Sequence, residues 1–382
     1  MEFLPFFLIL LVGVLFSSIF RRFHLPWVLA LIVAGLVFGP NGFAFVEINP
    51  TIEFLGQIGL IFLMFMAGLE TKLSSFREFG KSIAWISFIN ALIPFAVGYS
   101  IGFFFGFDVI ASLLLGIIFM SSSIAVIIPT LESTGILNTK LGRSIVSTTI
   151  IEDVASLVLL SILLQSIDPI TVLPLPSFYI LLIIILVAFR YGLPKIRNLI
   201  PRRRDEKDLF ESEVRIIFAL LLGTVVTFEL LGLHPIIAGF FAGLVLSDSI
   251  KSEILIDKLR TLSYGIFIPV FFVVVGMETD ISVFTVGGGA LALVVVILLG
   301  SMLSKFFSGW FGARISGFRN NDALIFGFAT IPQLSTTLAV AFTAVELGIL
   351  ENELAAAMVI LSIVTTLVAP IALRFIQKRK AS

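Results

Sequence analysis

Two adjacent carboxylates, Glu152 and Asp153, stand inside the apolar stretch STTIIEDVASLVLL. In a membrane helix each buried carboxylate costs on the order of 3 kcal/mol on insertion scales, so two in succession indicate a site. Helical spacing places Thr149 four residues before Asp153, and Thr148 and Ser156 four residues either side of Glu152. Carboxylate and hydroxyl oxygens are hard ligands, and no His or Cys lies nearby in the sequence. The stretch therefore predicts a site for a small alkali cation such as Na⁺, with Asp153 as the metal ligand.

Lys305, in MLSKFFSGWFGARISGF, supplies the opposite charge. A lysine in the bilayer is as costly as a carboxylate, and a pair with Glu152 or Asp153 would resolve both costs. Such a pair could be purely structural and join two helices. One lysine neutralises only one carboxylate, however, which leaves the second free to take up a proton or a cation. We therefore predict that Asp153 and Glu152 bind the cation and carry protons, with Lys305 as the ion-pair partner.

Two polar interruptions occupy apolar runs elsewhere in the chain. MSSSIAVIIPT contains Ser122 and Ser123, and ATIPQLSTT contains Pro332, Gln333 and Ser335. Proline removes a backbone donor, and Ser or Thr can bond to the freed carbonyls. Broken helices at corresponding places in the two halves of a transporter point to its binding site. We predict that these residues support the carboxylates; two proline kinks with ordinary Ser/Thr helix packing are the alternative.

The composition indicates an integral membrane protein. Of the 382 residues, 58% are hydrophobic and 13% are charged, whereas soluble domains are about one-quarter charged. The absence of cysteine excludes disulfides and thiolate metal sites. The net charge is zero and the basic residues are scattered, so no nucleic-acid partner is expected. We expect the lipid bilayer as the surroundings of the chain, and no cofactor.

Apolar runs predict an all-α polytopic fold with thirteen membrane helices. They cover residues 4–20, 26–40, 54–70, 82–106, 109–131, 142–166, 172–192, 212–230, 234–248, 260–277, 287–312, 323–345 and 354–375. All but one of the 25 basic residues fall on the same side in this scheme, and the exception is Lys305. Because cytoplasmic loops collect Lys and Arg, the scheme places the N-terminus outside and the C-terminus inside.

An internal repeat relates the two halves of the chain. AGLV at 34–37 recurs at 242–245, and GLETKLSSF at 68–76 resembles GMETDISVF at 276–284, both at an offset of 208 residues. Seven predicted spans separate the starts of the two copies, so the copies have opposite orientations in the membrane. Chance similarity between membrane helices is the alternative.

This repeat predicts the domain organisation. We expect one transmembrane domain over residues 1–382, with repeat one at 1–166, a connector helix at 172–192 and repeat two at 212–376. The charged stretch PRRRDEKDLFESE is interpreted as a solvated helix or linker between the halves. We expect no soluble regulatory domain.

These features resemble the monovalent cation–proton antiporter superfamily. The resemblance is carried by LPWVLALIVAGLVFGP, LGQIGLIFLMFMAGLE, PVFFVVVGME and the acidic pair, and it covers nearly the whole chain. It implies a dimerising panel domain and a core domain with two crossed broken helices. It also implies that Asp153 is the ion-binding aspartate and that Lys305 pairs with the acid before it, as in electrogenic members.

Three positions depart from the superfamily patterns. Glu152 stands where electrogenic sodium antiporters have Asp and electroneutral ones Asn, Thr148 stands where electroneutral members have Glu, and Gln333 stands where many relatives have Arg. These departures argue against the usual electroneutral pattern.

The expected function is secondary active export of Na⁺ or Li⁺ in exchange for protons, by an elevator-like and electrogenic cycle. We expect a homodimer in the inner membrane of a prokaryote and no enzymatic activity. A K⁺/H⁺ antiporter or a Kef-type K⁺-efflux subunit is the alternative, although no nucleotide-binding domain is expected after the last span. A sodium-coupled organic-anion symporter fits less well, because its substrate cavity would hold few permanent charges. A non-transporting membrane scaffold would leave three buried charges unexplained.

Overall fold

The computed structural model describes residues 3–22, 26–71, 80–167, 212–230, 234–247, 250, 252–280 and 288–381, with a few isolated positions between 177 and 192. Every regular element in these described ranges is a helix, as predicted. The predicted connector at 172–192 lies almost entirely outside the described residues, and so does the charged stretch at 201–211.

The described helices are numbered here in chain order. They are α1 (Phe3–Arg22), α2 (Trp27–Phe38), α3 (Pro50–Glu70), α4 (Lys81–Phe104), α5 (Val109–Met120), α6 (Ile124–Ser133), α7 (Lys140–Ile167), α8 (Ser212–Leu230), α9 (Pro235–Ser247), α10 (Glu253–Leu262), α11 (Ile268–Glu278), α12 (Gly288–Ile315), α13 (Asn320–Ala329), α14 (Ser335–Glu346) and α15 (Asn352–Ala381). A π-helical segment, Ser263–Phe267, joins α10 to α11.

Seven helical stretches in the described part of the chain are long and apolar enough to cross a membrane. They are Pro50–Glu70, Lys81–Phe104, Val109–Ser133, Lys140–Ile167, Glu253–Glu278, Leu291–Ile315 and Asn352–Ile376. Three shorter apolar helices, Leu4–Phe20, Trp27–Phe38 and Pro235–Ser247, accompany them. The fold is therefore a helical membrane fold, and the number of thirteen spans remains a prediction.

Two predicted helices are each divided in the middle, where the sequence places its polar residues. The first is α5 and α6, separated by Ser121–Ser123, whose flanking members have extended ψ angles of 156° and 108°. The second is α13 and α14, separated by residues 330–334, which include Pro332. Pro129 lies inside α6 rather than at the break, so the serine run marks the first interruption.

The predicted helix at 260–277 begins earlier than expected, at Glu253. Ser252 caps it by accepting a hydrogen bond from the Leu255 backbone N–H at 3.4 Å. Hydropathy alone did not predict these residues as helical, because several of them are charged. Leu255 and Leu259 are nevertheless both buried on one face of the helix. An amphipathic turn therefore extends the apolar helix beyond its apolar residues.

The chain divides into two compact units. One, called the core unit here, comprises Met1–Glu53, Phe79–Leu160 and Phe272–Ser382, and the other comprises Phe54–Glu78 and Ser161–Phe271. In the core unit, α4 packs closely on α5, because a Cβ at Gly98 would lie 2.7 Å from the Leu115 carbonyl oxygen. This contact fixes α4 beside the first broken helix.

Each unit contains a close helix contact that repeats the other at the 208-residue offset. In the core unit, a Cβ at Gly35 would collide with the Val273 carbonyl oxygen, and Gly276 is equally close to α2. In the second unit, a Cβ at Gly243 would collide with the Phe65 carbonyl oxygen, and a Cβ at Gly68 would collide with the backbone of α9. Only glycine permits such approach, so the repeated motifs mark two equivalent helix contacts.

Candidate functional site

The two interruptions meet inside the core unit. The backbone N–H of Ser123 donates to the Pro332 carbonyl oxygen at 2.7 Å, and the Ser122 hydroxyl lies 3.0 Å from the Thr330 carbonyl oxygen. The hydroxyls of Ser121 and Thr337 are 3.2 Å apart. Four half-helix ends therefore converge on one buried region, where their partial charges can act on an ion.

Lys305 and Glu152 form an ion pair beside this crossing. Lys305 Nζ lies 2.9 Å from Glu152 Oε2, and both side chains are fully buried. The lysine also donates to the Met120 carbonyl oxygen at 2.5 Å and lies 3.0 Å from the Ser122 hydroxyl. The ammonium group therefore neutralises Glu152 and satisfies the carboxyl end of α5, where a positive charge is favoured.

Asp153 points to a different neighbour and has no cationic side chain in direct contact among the described residues. The Thr336 hydroxyl, in the first turn of α14, lies 3.3 Å from its Oδ1, and the Ser122 backbone N–H is a further hydrogen-bond partner. The side chain is only 4% exposed. A buried carboxylate with two neutral partners can accept a cation or a proton as its missing counter-charge.

Gln333 joins the two broken helices. Its Nε2 donates to the Phe119 carbonyl oxygen at 2.9 Å, and its Oε1 accepts from the Ser301 hydroxyl at 3.1 Å. Its backbone N–H donates to the Thr365 hydroxyl oxygen of α15 at 3.2 Å. The Gln333 side chain thus donates a hydrogen bond to a carbonyl group at the carboxyl end of α5, and it adds no charge to the site.

The supporting hydroxyls predicted on α7 form no hydrogen bond to the two carboxylate groups in the described structure. Thr149 donates to the Ile145 carbonyl oxygen at 3.1 Å, and Ser156 donates to the Asp153 carbonyl oxygen at 2.8 Å, so both bond to their own helix. The hydroxyls of Thr148 and Ser123 are buried and have no hydrogen-bond partner among the described residues.

Ser122 and Ser335 differ in how close they come to the acids. The Ser122 hydroxyl contacts Glu152 Oε2 at 2.8 Å. Ser335 is buried and is the first residue of α14. No hydrogen bond joins it to either carboxylate in the described structure. Ser122 is therefore the predicted hydroxyl that reaches a carboxylate directly.

Asn90 belongs to the site and is not among the residues predicted from the sequence. It lies fully buried in α4, and its Nδ2 donates to Glu152 Oε1 at 2.6 Å. The Ser308 hydroxyl lies 2.7 Å from Asn90 Oδ1. A lone amide in the middle of an apolar helix was the available signal, because polar residues in membrane helices face the protein interior.

Comparison with known proteins identifies the family. A profile described as sodium/hydrogen exchanger, transmembrane, matches residues 7–379. A probable Na⁺/H⁺ antiporter 3 of Methanocaldococcus jannaschii is 31% identical over 97% of this chain and 95% of its own length. An Na⁺/H⁺ antiporter of Enterococcus hirae is 29% identical over 97% of each chain.

A solved structure has the same fold. The sodium proton antiporter MjNhaP1 of Methanocaldococcus jannaschii, at pH 8, is similar with a TM-score of 0.70 and 20% sequence identity, over 96% of this chain and 94% of that one. At this identity the likeness concerns the fold, while the family profile spans nearly the whole sequence. The chain is a member of the transmembrane sodium/hydrogen exchanger family, within the cation–proton antiporter superfamily.

Proposed function

We propose that the chain exports Na⁺ or Li⁺ in exchange for protons as a secondary active antiporter. The observation that carries the proposal is the pairing pattern of the acidic doublet, in a chain of this family. Glu152 is neutralised by Lys305 at 2.9 Å, whereas Asp153, buried beside the crossing of two broken helices, has neutral partners. Asp153 is thus the carboxylate that can exchange one monovalent cation for one proton.

Competition at Asp153 couples the two fluxes. A cation and a proton both need the same carboxylate, so occupancy by one excludes the other. The site with a bound cation or proton is neutral and can move through the membrane. The empty site carries the negative charge of Asp153, and moving it has a high free-energy cost. Protons moving inward down their gradient then drive the cation outward.

Glu152 and Lys305 make the cycle electrogenic in this proposal. A proton on Glu152 would leave Lys305 with its contacts to Met120 and Ser122, and loss of that proton would restore the ion pair. A second proton carried in this way moves net charge in each turnover. The proposal follows from the presence of two acids and one base in the same buried network.

The proposed architecture has thirteen spans, an outside N-terminus, an inside C-terminus and inverted repeats at 1–166 and 212–376. The matching glycine contacts at the 208-residue offset support the repeat, and the distribution of basic residues supports the orientation. We further propose elevator-like movement of the core, a homodimer and the inner membrane of a prokaryote as its location.

Potassium is a second candidate cation. A relative of 28% identity over 98% of this chain, from Bacillus cereus, is described as the Na⁺/H⁺-K⁺ antiporter GerN. The oxygen ligands around Asp153 do not by themselves distinguish K⁺ from Na⁺. Ion identity therefore has to be an explicit variable of the functional test.

Proteoliposomes with a preset pH gradient provide that test. Addition of Na⁺ or Li⁺ should dissipate the gradient, and the Asp153→Asn variant should lose this response because the amide carries no exchangeable charge. Ser87→Ala is the matched control, since Ser87 is buried in α4 and bonds only to its own helix at Ile83. Cation-dependent proton flux that persists in Asp153→Asn would contradict the assignment, and a response to K⁺ alone would favour the second candidate.

A further inference from the structure

Asn90 holds the oxygen of Glu152 that Lys305 does not pair with. Its Nδ2 donates to Oε1 at 2.6 Å, while Lys305 and Ser122 approach Oε2 at 2.9 and 2.8 Å. All four side chains are buried, so bulk water does not compete for these contacts. Side chains therefore engage both oxygens of this carboxylate.

The neighbours of the Asn90 amide set its orientation. An asparagine can present either its oxygen or its NH₂ group to a neighbour, and an ionised carboxylate only accepts, so the NH₂ group faces Glu152. Asn90 Oδ1 then faces the Ser308 hydroxyl at 2.7 Å, whose single proton is shared between this oxygen and the Ser304 carbonyl oxygen at 2.6 Å. Ser308 lies on α12 close to Lys305, and α12 thus fixes both the charge and the amide that hold Glu152.

Without the amide, Oε1 would be free to turn toward another positive group. The charged side chains that act on Glu152 in the described structure are Lys305 on α12 and Asp153 on its own helix. A cation bound at Asp153 would be the remaining attraction for a released Oε1. The amide contact therefore decides whether Glu152 remains a counter-charge or becomes a second ligand.

We propose that Asn90 is a positioning residue that keeps Glu152 paired with Lys305 and outside the coordination of the transported cation. This inference rests on the proposed exchange at Asp153. Asn90 itself contacts neither the cation nor the proton in this scheme. It acts by holding Oε1 of Glu152 while Lys305 holds Oε2.

The apparent KM for Na⁺ of Asn90→Leu, measured at one fixed pH, tests this role. Leucine has a similar volume but no donor, so Oε1 of Glu152 is released and can turn toward a cation bound at Asp153. A second anionic ligand tightens cation binding, so the KM for Na⁺ should fall severalfold. A purely structural role would lower the amount of active protein, and with it the maximal rate, without changing the KM.

Two further variants complete the experiment. Ser308→Ala removes the hydroxyl that faces Asn90 Oδ1 and should lower the KM for Na⁺ by a smaller factor, so it decides the matter even if Asn90→Leu fails to fold. Ser87→Ala, on the same helix as Asn90, should leave the KM unchanged. An unchanged KM in folded Asn90→Leu, or in Ser308→Ala where the former is unstable, would overturn the inference. Absence of exchange in the unaltered protein would instead overturn the proposed function.

Discussion

Replacing Lys305 by methionine should destabilise the folded protein strongly at neutral pH. The substitution keeps the volume of the side chain but leaves Glu152 buried and ionised without its counter-charge. Removal of one partner of a buried ion pair costs about 3–5 kcal/mol. The Met120 carbonyl oxygen also loses its donor, at about 1–3 kcal/mol, although Asn90 and Ser122 still support Glu152.

The lower ends of these ranges sum to about 4 kcal/mol. For a chain of 382 residues this should lower the Tm in detergent by about 5 °C. The double variant Lys305→Met with Glu152→Gln has no uncompensated charge and should recover at least half of the loss.

Thermal unfolding of the detergent-solubilised protein at pH 8, followed by intrinsic fluorescence, measures these shifts. A Tm of Lys305→Met within about 2 °C of the unaltered protein at pH 8 would refute the claim that the pair compensates a buried charge. So would a double variant that is as unstable as the single one, because the defect would then lie in packing around the lysine.

Two further predictions concern charge movement and the repeat. Glu152→Gln should reduce the charge translocated per turnover, measured as transient current on a solid-supported membrane, while Asp153 still exchanges cation for proton; an unchanged ratio of current to proton flux would contradict the electrogenic proposal. Gly243→Ala should lower the Tm by several degrees more than Gly223→Ala, because its Cβ would collide with the Phe65 carbonyl oxygen while the Cβ at Gly223 meets open space. Equal Tm values for the two variants would show that this helix contact is not tight.

Long apolar runs predicted the membrane helices, and the free-energy cost of charged side chains in the bilayer drew attention to the site. The divided helices were found because Ser121–Ser123 and Pro332 disturb runs that would otherwise be uniform. The start at Glu253 was missed because a charged, amphipathic turn looks like a loop when only hydropathy is considered. The prediction was accurate where the bilayer imposes a penalty and inaccurate where a helix leaves the apolar region.

The candidate site followed the same rule. Lys305 and the acidic doublet stand out because ionised side chains in a membrane need a partner, and the structure places Lys305 against Glu152. Asn90 gave a weaker signal, since an uncharged amide costs less in an apolar helix and its sequence neighbours reveal no partner. Only the packing of α4 beside α7 and α12 brings its NH₂ group to Glu152.

Hydroxyl groups were the least predictable part of the site. Helical spacing correctly places Thr149 and Ser156 on α7 near the acids, but it does not determine where their hydroxyl protons point. Each bonds to a carbonyl of its own helix, which is an ordinary alternative for Ser and Thr in membrane helices. Periodicity can therefore identify a face of a helix, whereas the hydrogen-bond pattern depends on neighbours that are distant in sequence.

The adjacency of the two acids explains why they have different partners. Consecutive residues on an α-helix point about 100° apart, so Glu152 and Asp153 leave α7 in different directions. Glu152 reaches Lys305 on α12, and Asp153 reaches Thr336 on α14. Acids four residues apart would share one face and would compete for a single lysine. A doublet instead places one carboxylate paired with a lysine next to one that has only neutral partners in direct contact, which is the arrangement that the proposed cation–proton exchange needs.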